Sequence, residues 1–143
     1  MSLAMSKAQR EAFLAATHVA IISIPEGGRG PLTVPVWYRY EPGGTVRFVT
    51  AGTSKKAQLI RASGRLSLCV QTETPPYQYV SVEGPVTIAA PDLERDVREM
   101  AYRYLGEQLG AMYLQLTASE QTNTILVCLT PERWLSVDYS QMG

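Results

Sequence analysis

The chemistry of this 143-residue chain is densest in Thr50-Ala51-Gly52-Thr53-Ser54-Lys55-Lys56, where hydroxyls, a glycine and two ammonium groups fall close together. Ahead of this run Val46 and Phe48 alternate with Thr45 and Arg47, the period of a half-buried strand. Thr50 to Thr53 supply a tight turn, and Ser54 is placed to cap a helix that begins at the lysines. Lys55 and Lys56 therefore sit in the first helical turn, where the macrodipole is positive and each cation is disfavoured by about 0.3–1 kcal/mol. A bound anion reverses that sign. Free N–H groups after Gly52, the hydroxyls of Thr50, Thr53 and Ser54, and both ammonium groups would converge on one phosphate. The alternative is a pair of solvated lysines that the helix tolerates, and spacing alone leaves both readings open.

The composition bounds what such a site can serve. Lysine plus arginine and aspartate plus glutamate both number 13, so the formal net charge is zero. No broad basic field exists to attract nucleic acid or an anionic membrane, and any anion site is local. The longest apolar run, Val19 to Ile24 with Ser23 inside it, is too short to span a bilayer, and the N-terminus is too charged for a signal peptide. A cytoplasmic location is expected. Cys69 and Cys128 lie in apolar strand-like runs, read as small buried thiols, and neither has metal-ligand spacing, so no metal is expected. The length suits a single domain, assigned to residues 5–143, with residues 1–4 read as an expression remnant or a flexible start.

The elements that must position the lysine turn follow from periodicity. Residues 5–16 pattern as a short helix, and Thr17 to Ile24 as a buried strand that His18, the only histidine, begins. No nucleophile motif accompanies His18, which reads as a satisfied strand-end imidazole. The glycine- and proline-rich Pro25 to Pro31 is a loop. Leu32 to Tyr40 reads as one strand with Leu32, Val34, Val36, Tyr38 and Tyr40 on one face and Thr33, Pro35 and Trp37 on the other. Pro35 cannot donate to a ladder, so that strand is an edge, a bulge or a ligand-facing segment. Glu41-Pro42-Gly43-Gly44 is a hairpin turn, and Gly64 closes the lysine helix.

Arg65 to Gln71 and Tyr79 to Ile88 are further strands, the second with Val80, Val82, Val86 and Ile88 inward and Tyr77, Tyr79 and Ser81 outward. Pro91 opens a packing helix with Leu93, Val97, Met100, Ala101, Tyr104 and Leu105 toward the core and Glu94–Arg98 and Glu99–Arg103 as surface pairs. Gln108 to Gln121 is a weaker helix or irregular segment, and Thr124 to Tyr139 is a closing hairpin or a long strand bent at Pro131. Six or so antiparallel strands with short turns, and helices at the start, after the lysine turn and before the last strands, describe a small, mainly β barrel with helices at its openings.

The order of these motifs resembles the split-barrel flavin-binding family typified by pyridoxamine 5'-phosphate oxidase, and within it the deazaflavin- and flavin-dependent oxidoreductase branch. The resemblance is carried by Val34-Pro35-Val36-Trp37-Tyr38, Phe48-Val49-Thr50 with Ser54-Lys55-Lys56-Ala57, Leu66 to Val70, Pro76-Tyr77-Gln78-Tyr79-Val80 and Val82-Glu83-Gly84. It implies a homodimer with the cofactor in a groove between subunits. Val49, Thr50, Ser54, Lys55 and Lys56 would hold its phosphate, Pro35, Val36 and Trp37 would lie along its ring, and Tyr79 would come from the second subunit. The oxidase branch places an arginine-led Arg-x-x-x-x-Lys strand where this chain has the uncharged Leu32 to Trp37. Oxidation of pyridoxamine phosphate itself is therefore not expected. What remains is hydride transfer to or from a small organic molecule, or binding without turnover of a flavin, deazaflavin or tetrapyrrole. The missing strand charges favour the deazaflavin coenzyme F420, whose phosphate continues into an acidic tail, with FMN as the alternative. The outward aromatics Trp37, Tyr77 and Tyr79 are expected at a dimer interface.

Overall fold

The computed structural model describes residues 2–142, and Met1 of the residues set apart at the start lies outside them. Ser6 begins the first helix, α1 (Lys7–Ala15), through a capping box in which its hydroxyl accepts from the Gln9 N–H and the Gln9 side chain accepts from the Ser6 N–H. The strands are β1 (Ala20–Ile24), β2 (Leu32–Val36), β3 (Arg39–Tyr40), β4 (Val46–Ala51), β5 (Arg65–Gln71), β6 (Gln78–Ala89), β7 (Thr124–Leu129) and β8 (Arg133–Asp138). Between them stand α2 (Lys55–Ser63) and α3 (Glu99–Leu116), the latter entered through a π-helical turn at Leu93–Arg98. All pairings are antiparallel, in the order β2-β1-β5-β6-β7-β4-β3, with β8 also on β6. This curled sheet of eight strands with packed helices is a split barrel, two strands more than the periodicity suggested.

The long strand β6 holds the two halves together. One of its edges pairs with β5, from Tyr79 opposite Gln71 to Pro85 opposite Arg65. It also pairs with β8 through Gln78 to Glu83 and with β7 through Val86 to Ala89. The Thr130 and Glu132 N–H groups continue the ladder onto the Pro85 and Glu83 carbonyls. Thr124 to Tyr139 is thus not a hairpin but the long bent strand, and its register slips by one residue at Pro131, which has no N–H to donate. The bulge leans onto Gly84, where a Cβ would overlap the Thr130 carbonyl oxygen.

The barrel interior is filled by Ile22, Ile24, Tyr38, Val46, Phe48, Leu68, Val70, Val80, Val82 and Leu129, closed by Leu14 and Ile60 from the helices. The strand expected over Leu32 to Tyr40 is interrupted at Trp37 and Tyr38. The Tyr38 N–H donates to Tyr104 Oη (3.1 Å) and the Tyr38 carbonyl accepts from it (3.0 Å), so a helix side chain takes the place of a neighbouring strand. His18 lies before β1 instead of beginning it. Its Nε2 meets the Phe13 carbonyl at 2.9 Å, and its ring stacks on Phe13. Burial lowers its pKa. At the end of α1 Tyr38 Oη donates to the Leu14 carbonyl (2.6 Å) and Arg103 to the Ala15 carbonyl (3.0 Å), while His18 joins the Ala16 N–H at the Phe13 carbonyl.

The helix after Pro91 also departs from its expected face. The wide π turn turns Leu93 outward and buries Asp96, whose carboxylate takes two hydrogen bonds from Arg47, at 3.1 and 2.9 Å. Glu94 pairs with Arg98, but Glu99 reaches Arg39 instead of Arg103. The helix continues through Gln108 to Leu116, with a break in helical geometry at Gly106, whose φ of 79° suits a residue without a Cβ. The residues before α1 run beside β8: the Asp138 N–H donates to the Leu3 carbonyl and the Met5 N–H to Ser136 Oγ.

The Gly84 crossing gives a direct test. Gly84→Ala forces either the bulge or β6 to shift, and the cost belongs at the upper end of the range of about 1–3 kcal/mol for overpacking a core. Urea unfolding measures it, with Gly30→Ala, which enters open space, as the control.

Candidate functional site

The lysine turn folds as its sequence dictates. Ser54 has extended backbone geometry and caps α2, its hydroxyl accepting from the Ala57 N–H at 3.1 Å and donating to the Ala51 carbonyl at 2.7 Å. That leaves Thr50, buried at the end of β4, to donate to Ser54 Oγ at 3.3 Å. Gly64 ends the helix in left-handed geometry. The outer side of the turn is fastened to the 3-10 segment Ala118–Asn123: the Gly52 N–H donates to the Asn123 carbonyl at 2.7 Å, and Asn123 Nδ2 donates to Thr53 Oγ1 at 3.0 Å. Arg61 donates to the Gly52 carbonyl at 2.8 Å, and so braces the turn. The polar atoms of the turn are thus largely used on one another. The N–H groups of Lys55 and Lys56 have no acceptor among the described residues.

The two lysines diverge. Lys55 Nζ lies 2.8 Å from Glu26 Oε2 in the Pro25 to Pro31 loop, and that ammonium holds the Glu26 carboxyl below the usual carboxylate range. Lys56 has no carboxylate partner among the described residues, and it lines a cavity of about 380 Å3 together with Val19, Pro35, Val36, Trp37, Val49, Met100 and Tyr113. Five of the residues expected at a cofactor site, Pro35, Val36, Trp37, Val49 and Lys56, therefore border one apolar cavity whose single cation stands at the start of a helix.

The remaining expected residues take other positions. Thr50 and Ser54 lie behind the lysines in the cap, and Lys55 faces the loop. Tyr79 is on β6, opposite Gln71 of β5 and Val137 of β8, and it does not line this cavity. It belongs to the outer face of the sheet. On that face Pro35, Ile21, Cys69, Ser81 and Leu135 form one row across five strands, with Ile21 41% and Leu135 60% exposed.

Sequence reasoning missed the cavity's helical wall. Met100 and Tyr113 both come from α3, Met100 from the part that its periodicity marks as a packing helix and Tyr113 from the Gln108 to Gln121 stretch expected to be a weaker helix or irregular, and Trp37 is held by that helix. Its ring stacks on Tyr104 with centroids 5.2 Å apart and planes within 5°, and Tyr113 tilts against it at 5.2 Å. The signal was present: Leu109, Met112, Tyr113 and Leu116 recur at helical spacing, and that period carries α3 past Gly106. Nothing local marked Glu26, because the contact with Lys55 joins residues far apart in the chain.

The cavity is dry-walled and bears one ammonium and one phenol as its ionisable groups. It can stack a planar ring and neutralise one negative charge, and it offers no paired acid and base. Among the described residues no three His, Cys, Asp or Glu side chains gather as metal ligands, and no helix is long and apolar enough to cross a membrane.

An eight-stranded split barrel with an aromatic groove beside a lysine-bearing helix start defines the split-barrel class. The model of the family described as Pyridoxamine 5'-phosphate oxidase matches residues 5–138, and the chain belongs to that family. Among solved structures, the conserved hypothetical protein Rv2991 of Mycobacterium tuberculosis matches with a TM-score of 0.79 at 22% identity, covering 99% of this chain and 90% of that one. A protein described as F420 reductase matches at 0.64 and 18% identity, covering 87% and 94%. An FAD-binding protein of Mesorhizobium loti matches at 0.64 and 19% identity, covering 92% and 91%. At these identities the likenesses speak for the fold. No curated protein sequence matches the chain.

The cap geometry can be tested without any ligand. Ser54→Ala removes an acceptor for the Ala57 N–H and a partner of buried Thr50, and is expected to cost about 1 kcal/mol. Chemical denaturation reads the loss, and Ser54→Asp, which keeps a cap acceptor, is expected to restore most of it.

Proposed function

We propose that this protein is an oxidoreductase that binds the deazaflavin coenzyme F420, with FMN as the alternative cofactor, and passes a hydride to or from a small organic molecule. The observation that carries this reading is the convergence of Pro35, Val36, Trp37 and Val49 with Lys56 on one cavity of about 380 Å3. That volume lies in the range of small-molecule sites, roughly 300–1,000 Å3. The donor set fits a ring attached to a phosphate: apolar and aromatic walls for the ring, then one ammonium and two unspent N–H groups at the start of α2. Neighbours described as an F420 reductase and an FAD-binding protein support the same reading.

When bound, the cofactor supplies the hydride chemistry. The chain's own work is positioning. Lys56 offsets phosphate charge, Val36, Val49 and Met100 keep water from the ring, and the stack of Tyr104 on Trp37 fixes the indole that borders it. The uncharged Leu32 to Trp37 strand argues against pyridoxamine phosphate as the substrate. The absence of an acid–base pair among the lining residues favours a second reading, a carrier that binds the cofactor without turnover.

The proposal includes a homodimer built on the outer sheet face. Exposed Val19, Ile21 and Leu135 lie on that face, Val19 also lining the cavity, and Tyr79 on the same face would approach the cavity of a second copy. The setting is the cytoplasm, consistent with both cysteines being free.

Fluorescence titration of the purified protein with F420 and with FMN tests the cofactor. Micromolar binding is expected, tighter for F420, and Lys56→Ala is expected to weaken either by about 1.5–3 kcal/mol with no loss of melting temperature. Micromolar FMN binding without F420 binding reverses the choice, and an unchanged Lys56→Ala variant removes the phosphate assignment. Stopped-flow reduction by a hydride donor then separates enzyme from carrier. Sedimentation with cofactor present is expected to give a dimer, and a monomer at micromolar concentration rules out the shared site.

A further inference from the structure

We propose that Glu26 is a specificity-determining residue: paired with Lys55, it sets the phosphate end of the site for a singly charged phosphodiester and against a doubly charged phosphomonoester. The inference rests on the phosphate-bearing cofactor proposed above, and it names a residue outside the motif that suggested that cofactor.

The charges at the turn carry the case. Two adjacent lysines would suit a dianion, but Lys55 is already matched by the Glu26 carboxylate at 2.8 Å. Arg61 is committed to the Gly52 carbonyl. Lys56 alone lines the cavity as a cation without a carboxylate partner among the described residues. Arg29, in the same loop as Glu26, acts on its carboxyl but not through a close ion pair. A phosphodiester carries one negative charge, whereas a phosphomonoester carries about −1.5 to −2 at neutral pH. The second charge would meet no free ammonium, only one screened by a fixed carboxylate.

Among the described residues Lys55 is the one cation within ion-pair distance of Glu26. The loop has room around it, since a Cβ at Gly27, Gly28 or Gly30 would meet nothing within 4 Å. Glu26 itself is well covered, its side chain 16% exposed against 58% for Lys55. A carboxylate on such a loop discriminates by charge and leaves ring recognition to the cavity walls. Coulomb energy scales with the product of the charges, so the carboxylate opposes a dianion twice as strongly as a monoanion.

The test compares three ligands with one ring: FMN, its 4',5'-cyclic phosphodiester, and riboflavin. Glu26→Gln is expected to tighten the cyclic diester about threefold and FMN about tenfold, the square of the smaller factor, and to leave riboflavin unchanged. The double variant Glu26→Gln/Lys55→Met, with the parent's net charge, is expected to return the FMN-to-diester ratio to within about twofold of the parent. A Glu26→Gln ratio equal to the parent's, or a variant that binds FMN more weakly, overturns the proposal. If no flavin binds even the parent, the cofactor reading has failed, and the charge selection is read with methyl phosphate and dimethyl phosphate through the amide resonances of Lys55 and Lys56. A gain on Glu26→Gln confined mainly to methyl phosphate supports the role of Glu26; equal gains, or no response to either phosphate, overturn it.

Discussion

The crossing of the β7–β8 bulge over Gly84 is the constraint on which both halves of the barrel depend. Strand β6 pairs with β5 from Tyr79 to Pro85, and its other partner changes from β8 to β7 where Thr130 sits against the glycine. A side chain there would part the two strands at the point where the sheet turns. Because β4, which ends in the lysine turn, is reached from β6 only through β7, while β1 and β2 are reached through β5, the two sides of the cavity are joined by this strand. The position of Lys56 relative to Pro35 and Trp37 therefore rests on backbone geometry some distance away.

The turn satisfies most of its own polar groups. Most of the hydroxyls and the arginine that would reach for a phosphate are engaged within the fold: Ser54 caps, Thr50 supports the cap, Thr53 meets Asn123, and Arg61 braces Gly52. Two helix-start N–H groups and Lys56 are left over, and the repulsion between Lys55 and the helix dipole is offset by Glu26. The buried Arg47–Asp96 pair plays a comparable part in the wall. Its fork geometry fixes the π turn, and with it the direction in which α3 sets out toward the cavity.

Local signals were legible and tertiary ones were not. The alternation in β4, the Ser54 cap, the Gly64 terminus and the Glu41 to Gly44 turn depend on residues within a few positions of one another, and each was readable from sequence. The single strand expected from Leu32 to Tyr40 failed because Tyr104, far along the chain, supplies the hydrogen bonds of Tyr38. Leu93 was placed inward on a 3.6-residue period, and the π turn has a wider one. Of the residues lining the cavity, Pro35, Val36, Trp37, Val49 and Lys56 stand in motifs that the sequence singles out, whereas Met100 and Tyr113, like the contact of Glu26 with Lys55, arise from contacts that no sequence window spans.

Helix α3 changes character at Gly106. Before it, Arg103 holds the Ala15 carbonyl, and Tyr104 ties the His18 carbonyl (2.6 Å) and Tyr38 to its hydroxyl, so this half is bolted to the barrel. After it, Leu109, Met112 and Leu116 point to solvent, and Tyr113 alone reaches the cavity. The cavity thus has a fastened floor and a looser outer wall. Substitutions at the exposed positions Leu109, Met112 and Leu116 change the surface behind Tyr113 while leaving the strands, the Ser54 cap and Lys56 in place, so the shape of the cavity's mouth can vary with little demand on the rest of the fold.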